Sequence, residues 1–280
     1  MSNYLSPAQV LDYTKESGIK KASLPLRSTM LLSFLAGLFI ALASVGSNII
    51  AHNITDIGLA KYLAGLIFPA GLIFVVIAGA ELFTGNNLIS VAVLSREVSI
   101  KKYLSNLSLV WLGNLVGSVF VALLIFYSGQ LDYSEGLLGA FTIKVGVIKT
   151  NLTFINLFTS GILCNILVCL AVWMSYASKD AAGKSLVIFF PIWLFIASGY
   201  EHSVANMYYI SSAMMATTDS NFVSLAQSHF GVTAEALSNL SMYGMFIKNL
   251  IPVTIGNLVG GGFFVGAWYW WSYKKIYPTK

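Results

Sequence analysis

Two stretches of the chain, 62–94 and 185–217, are strongly apolar and cover 33 residues each. A helix crosses a bilayer core in about 20 residues, so each is too long for one ordinary span. Each is also interrupted midway by a glycine-containing polar cluster, GAELFTGNN at 79–87 and SGYEHSVAN at 198–206. Four further uncharged runs, 30–50, 107–127, 152–178 and 250–271, have the length of single spans. The pattern predicts an all-α membrane protein of six transmembrane helices, the second and fifth of them broken. Composition agrees: 10% of residues are charged and mean hydropathy is +0.77, against about 25% charged residues in soluble domains.

The net charge of +5 does not indicate a nucleic-acid partner, because the basic residues are dispersed at the ends of apolar runs. With both chain ends on the cytoplasmic side, 12 of the 16 basic residues face inwards, Lys274, Lys275 and Lys280 among them. Only Lys61, Lys144, Lys149 and Lys248 fall outside, a clear positive-inside bias. The first 27 residues show no signal-peptide pattern, so the first span is expected to direct insertion into the cell membrane. Ser6 and Pro7 mark the start of a short amphipathic cytoplasmic helix, with Gly18 as its expected stop. That helix reads either as an interfacial anchor or as a lid. His229 falls outside the apolar runs and reads as a surface residue. Cys164 and Cys169 share one apolar run and read as packing residues, and no metal or other cofactor is implied.

WLGNLVGSVF at 111–120 and TIGNLVGGGF at 254–263 share GNLVG, in the third and the sixth span. Spans one to three and four to six therefore read as two copies of one unit, 28–128 and 149–273, within a single channel domain preceded by residues 1–27. Three spans per copy force the second copy to be inverted. In that architecture broken helices meet near the midplane and form a pathway. Gly113, Gly117, Gly256 and Gly260 allow close helix packing. Asn114, Asn165 and Asn257 read as helix-to-helix glue.

A break in a membrane helix is tolerated only where its backbone faces protein or a watery cavity. Half-helix N-termini carry partial positive charge and suit anions. Thr84, Asn86 and Asn87 gather at the first break, with Glu201, His202, Ser203 and Asn206 at the second. His202 can donate a hydrogen bond or exchange a proton in a pathway; its alternative is a structural pairing with a neighbour such as Thr84. Glu201 points roughly 100° away from it on a helix. It is expected to brace the break by accepting backbone N–H groups, with Glu81 as its counterpart. Phe68, Leu72, Leu82, Phe83 and Phe195 are candidates for water-excluding constrictions. Lys149 and Lys21, at the two entrances, read either as anion attractors or as snorkelling anchors.

These motifs carry a resemblance. GAELFTGN, LCNILVCLAVWMSY, ASGYEHSVANM and NLIPVTIGNLVGGG are similar to the formate/nitrite transporter family along essentially the whole chain. The resemblance implies an aquaporin-like fold and a homopentamer with one pore per protomer. It implies His202 as the central pore histidine, with Leu82, Phe83 and Thr84 as the loop of the second span. It also implies Lys149 in the outer vestibule, Lys21 near the inner one, Asn165 near the pore, and Phe68, Leu72 and Phe195 at constrictions. The expected activity is passage of small monovalent weak-acid anions, formate first, with or without a coupled proton. ELFTGN departs from the LFTS and ELFTGH of formate-type and nitrite-type members, which leaves nitrite and hydrosulfide open. A cation channel would call for acidic rings. A membrane-embedded enzyme would need a catalytic constellation that one histidine and two separated glutamates do not make. A neutral-solute channel is the remaining alternative.

Overall fold

The computed structural model describes residues 4–274; Lys275 and Lys280 lie outside them. The chain begins with α1 (Pro7–Ala22) and α2 (Leu26–Ala51), followed by α3 (Ile57–Gly79) and α4 (Phe83–Leu94), which flank the first break. Next come α5 (Ile100–Tyr127), α6 (Leu137–Asn151), α7 (Phe154–Ala177) and α8 (Ala181–Ser198). Across the second break lies α9 (Ser203–Ala216), then the short α10 (Ser220–Phe230) and α11 (Ala234–Ser238), and finally α12 (Gly244–Tyr273). Among the described residues six helices are long and apolar enough to cross a membrane: α2, α3, α5, α7, α8 and α12. The half-helices α4 and α9 continue the second and fifth spans. This is the architecture the interrupted runs predict, two inverted three-span repeats.

Ser6 caps α1 in a reciprocal box with Gln9, which satisfies two of the backbone donors at the helix start. Gly18 does not end α1, contrary to the sequence expectation; the helix continues to Ala22. There is no chain reversal at Gly18. Its missing side chain lets α1 lie on α4, where a Cβ would stand 3.1 Å from Ala92 and 3.3 Å from the Ile89 backbone. The first and last described helices, α1 and the end of α12, pack together on one face. Leu5 N–H donates to Ala177 O at 2.9 Å, and Trp270 Nε1 donates to Ser95 Oγ at 3.0 Å.

The four-residue glycine spacing has a direct structural meaning. A Cβ at Gly117 on α5 would run into the carbonyl of Phe34 on α2, and one at Gly37 into the backbone of Asn114. In the other half, Gly256 and Gly260 on α12 face the carbonyls of Phe158 and Ile162 on α7. The pairs α2–α5 and α7–α12 are thus the same close crossing, made twice. Each crossing brings an asparagine, Asn114 or Asn257, against the break of its own half.

Backbone cannot yield as a flexible side chain can, so Gly117→Leu must separate α2 from α5. The expected cost is about 1–3 kcal/mol, the range for an overpacked core. Thermal unfolding of the detergent-solubilised protein checks it, and an unchanged melting temperature would remove Gly117 from the close crossing.

Candidate functional site

Both breaks are built alike. Gly79 (φ +83°) and Gly199 (φ +72°) turn the chain out of α3 and α8 through the left-handed region, where a side chain would be strained. The chain then runs extended through Leu82 and His202 before the next helix starts. Asn114 Oδ1 accepts the Phe83 N–H at 2.9 Å, and its amide donates to the carbonyls of Glu81 at 2.9 Å and Ser33 at 2.7 Å. Asn257 repeats the set: it accepts the Ser203 N–H at 2.9 Å and donates to the carbonyls of Glu201 at 3.0 Å and Gly161 at 2.8 Å. Asn114 and Asn257 do more than glue helices together; they satisfy the opened backbone.

The glutamates do not perform that task, which corrects the sequence reading. Glu81 accepts from Lys21 Nζ at 2.6 Å and from Asn86 Nδ2 at 2.6 Å. Glu201 accepts from Lys149 Nζ at 3.0 Å on both oxygens and from Asn206 Nδ2 at 2.6 Å. With the break's backbone already held by asparagine, each carboxylate is left to an ammonium. Lys21 and Lys149 are therefore ion-paired residues, not free charges. Their side chains are 22% and 13% exposed, and those of Glu81 and Glu201 are 7% and 6% exposed.

Between these clusters stands His202. Its Nδ1 lies 3.1 Å from the Ala205 N–H, which can only donate, so Nδ1 is the acceptor and caps α9. The ring proton is then on Nε2, 2.9 Å from Thr84 Oγ1, and Thr84 keeps its own hydroxyl hydrogen free to donate elsewhere. The Thr84 carbonyl is held by Asn87 Nδ2, Asn165 Nδ2 and Cys169 Sγ, at 3.2, 3.3 and 3.2 Å. Asn165 Nδ2 also donates to the Asn257 carbonyl at 2.6 Å, tying one break to the other. The pairing of His202 with Thr84 and a position facing a cavity are thus both true of this residue.

Two cavities approach this centre. One, of about 590 Å³, opens on the face away from the chain ends and is lined by Phe195, His202, Asn206, Lys149, Lys61 and Lys144, with His229 at its rim. The other, of about 330 Å³, opens on the chain-end face and is lined by Leu72, Leu82, Lys20, Lys21, Glu81 and Asn86. Phe68 lies in neither and packs edge-on against Phe195, with ring centroids 5.4 Å apart. Phe195 in turn lies 5.9 Å from the His202 ring. Thr84 and Asn165 are fully buried and line neither cavity.

Phe83 is a correction. It faces a lateral apolar groove between α5 and α12, beside Leu107, Trp111, Leu250 and Thr254, as the first residue of α4, whereas Leu82 before it lines the chain-end cavity. His229 is exposed as expected, but it borders the larger cavity, which the sequence did not indicate. Asn106 and Asn249 were missed. Asn106 Oδ1 accepts from Asn86 at 2.9 Å, and Asn249 Oδ1 accepts from Asn206 at 2.8 Å. The signal was present: NLSLVWLGNLVG at 106–117 and NLIPVTIGNLVG at 249–260 extend the GNLVG repeat back to both residues.

Six membrane helices, two inverted halves and a polar centre between two cavities define a membrane pore protein. The family model for the formate/nitrite transporter matches residues 8–271. The chain belongs to the formate/nitrite transporter family. It is 38% identical over 265 residues to formate channel FocA of Haemophilus influenzae, covering 94% of this chain and 93% of that one. It is 37% identical over 277 residues to formate channel FocA of Escherichia coli strain K12, covering 97% and 95%. A solved pentameric formate channel with formate bound superposes with a TM-score of 0.81 at 37% identity, covering 89% of this chain and 98% of that one.

Removing one partner of a buried ion pair leaves an uncompensated charge, at a cost of about 3–5 kcal/mol. Lys149→Met should accordingly destabilise the protein by that order, and adding Glu201→Gln should recover most of it. Thermal unfolding of the two variants checks this; equal melting points for the single and double variants would mean the pair is not a stability element.

Proposed function

We propose that this protein is a channel for small monovalent weak-acid anions, formate first, acting as a homopentamer in the cell membrane with both chain ends cytoplasmic. The whole chain forms one channel domain, with no enzymatic step. The observation that carries the reading is the buried His202–Thr84 pair between two cavities, with Phe195 against the His202 ring and Leu72 and Leu82 lining the chain-end cavity. The identity and fold shared with the pentameric formate channel support it.

An unpaired anion in an apolar passage costs tens of kcal/mol in a medium of low dielectric. The site offers two remedies: hydrogen bonds from the Thr84 hydroxyl and His202, and a proton that converts the anion to its neutral acid. A second proton on the His202 ring can enter only at Nδ1, where it displaces the Ala205 N–H from its cap. Proton exchange at His202 is thereby coupled to the start of α9. Because Lys149 and Lys21 are each neutralised by a glutamate, the field that gathers anions comes from Lys61 and Lys144 at one mouth and Lys20 at the other. Lys144 rests over the Phe230 ring, 4.8 Å from its centroid. Asn86 stands where the motif departs from formate-type and nitrite-type members, so nitrite and hydrosulfide are the competing substrates.

Proteoliposomes carrying the purified protein should pass formate and exclude sodium and glycerol. Preference for nitrite or hydrosulfide over formate would reassign the substrate, and glycerol passage would overturn the anion reading. In the same assay, His202→Asn, which keeps polarity but cannot titrate, should assemble normally. It should lose about tenfold in flux, the worth of roughly one hydrogen bond, and flatten the pH profile. A variant with the parental rate and profile would reduce His202 to a packing residue.

A further inference from the structure

The two lysine–glutamate clusters share an outer tier. Asn106 on α5 accepts from Asn86 Nδ2 through Oδ1 and donates through Nδ2 to the backbone carbonyl of Lys21 at 3.1 Å. Asn249 on α12 accepts from Asn206 Nδ2 and donates to the backbone carbonyl of Lys149 at 2.9 Å. Each therefore grips two things: the asparagine that holds the break's carboxylate, and the main chain from which the lysine springs. Asn249 is fully buried, and Asn106 is 6% exposed. Neither belongs to the His202 centre, and neither has a place in the two cavity linings described above.

The position of the gripped carbonyl matters. Lys21 lies in the last turn of α1, and Lys149 in the last turn of α6. The last four carbonyls of a helix have no partner within it. Asn249 takes the Lys149 carbonyl, Asn106 takes the Lys21 carbonyl beside the Leu24 N–H at 3.4 Å, and each asparagine fastens its helix end. Helices α1 and α6 are not spans. They lie at the two entrances, α1 against α4 and α6 against α9, the half-helices that follow the breaks. A lysine side chain is flexible, and its ammonium stays on a carboxylate only if its backbone is fixed.

We propose that Asn106 and Asn249 are positioning residues. Each fixes the end of one entrance helix to the adjacent break, and so holds the entrance lysine on its glutamate, one asparagine serving each mouth of the pore. They act through Lys21 and Lys149 and do not touch the permeating anion. The consequence for transport rests on the anion-channel reading; the fixing of the lysines does not.

The test uses the full-length protein and chemical labelling of lysine amines by a small acetylating reagent, read residue by residue by mass spectrometry. An ammonium held by a carboxylate reacts slowly. Asn249→Leu is expected to raise labelling of Lys149 severalfold while Lys21 stays at the parental rate. Asn106→Leu is expected to do the reverse, and Lys61 and Lys248 serve as exposed references in both. A merely structural contribution would raise both lysines together, and that result overturns the proposal, as does parental labelling of Lys149 in an assembled Asn249→Leu protein. Should the leucine variant not assemble, Asn249→Gln, which keeps an amide long enough to donate to the Lys149 carbonyl, takes its place. It is expected to label Lys149 less than Asn249→Ala does, and equal labelling in the two overturns the proposal. Formate flux through the same preparations separates the two readings. Site-selective labelling with no formate flux in the parent protein would leave the positioning role standing and remove the channel assignment.

Discussion

A polypeptide that leaves helical geometry inside a membrane must find partners for its N–H and C=O groups from its own side chains, because lipid supplies none. Everything at the centre of this protein follows from that requirement. Asn114 and Asn257 each close three bonds to backbone: one to a freed N–H in the break, one to a carbonyl of the break, and one to a carbonyl of the neighbouring span. An amide side chain is suited to the task, since it both donates twice and accepts without carrying charge. With the main chain satisfied in this way, Thr84 and His202 are left to meet each other across the gap between the halves.

The same economy explains the charges. A glutamate at each break would be untenable alone, and a lysine at each entrance would be held too loosely to matter. Brought together and surrounded by asparagine amides, they form neutral, well-bonded clusters whose Coulomb attraction outweighs desolvation only because the remaining lone pairs are also used. The polar machinery is therefore made largely of amides, with ions confined to its two ends and a single imidazole at its middle.

Much of this could be read in the chain. The spans, the breaks and the inversion follow from run lengths and from the repeated GNLVG, because bilayer thickness and helix rise leave few alternatives. His202 stood out because an ionisable group inside an apolar run is costly to keep. What escaped were partnerships across the fold. The sequence placed Glu81 and Glu201 at the breaks but not the lysines against them, since residues 60 and 52 positions apart meet only when α1 and α6 dock. Phe83 was misread because Leu82 and Phe83 look alike in composition, while Leu82 ends the extended segment and Phe83 opens the helix, and the two line different cavities. Asn106 and Asn249 were overlooked as ordinary polar residues near span ends, although the repeat, followed a few residues further back, contained them.

In the two halves, Glu81 and Asn86 correspond to Glu201 and Asn206, and by the same offset Leu82 corresponds to His202. One twofold-related frame thus presents a hydrocarbon from one side and an imidazole from the other. A frame that is the same from both ends has no direction of its own. By that offset Phe83 and Thr84 also meet different residues, Ser203 and Val204. Whatever distinguishes entry from exit must be written where the halves differ, and these pairs follow one another at the middle. The scaffold supplies the passage, and the mismatched residues at its middle supply its sense.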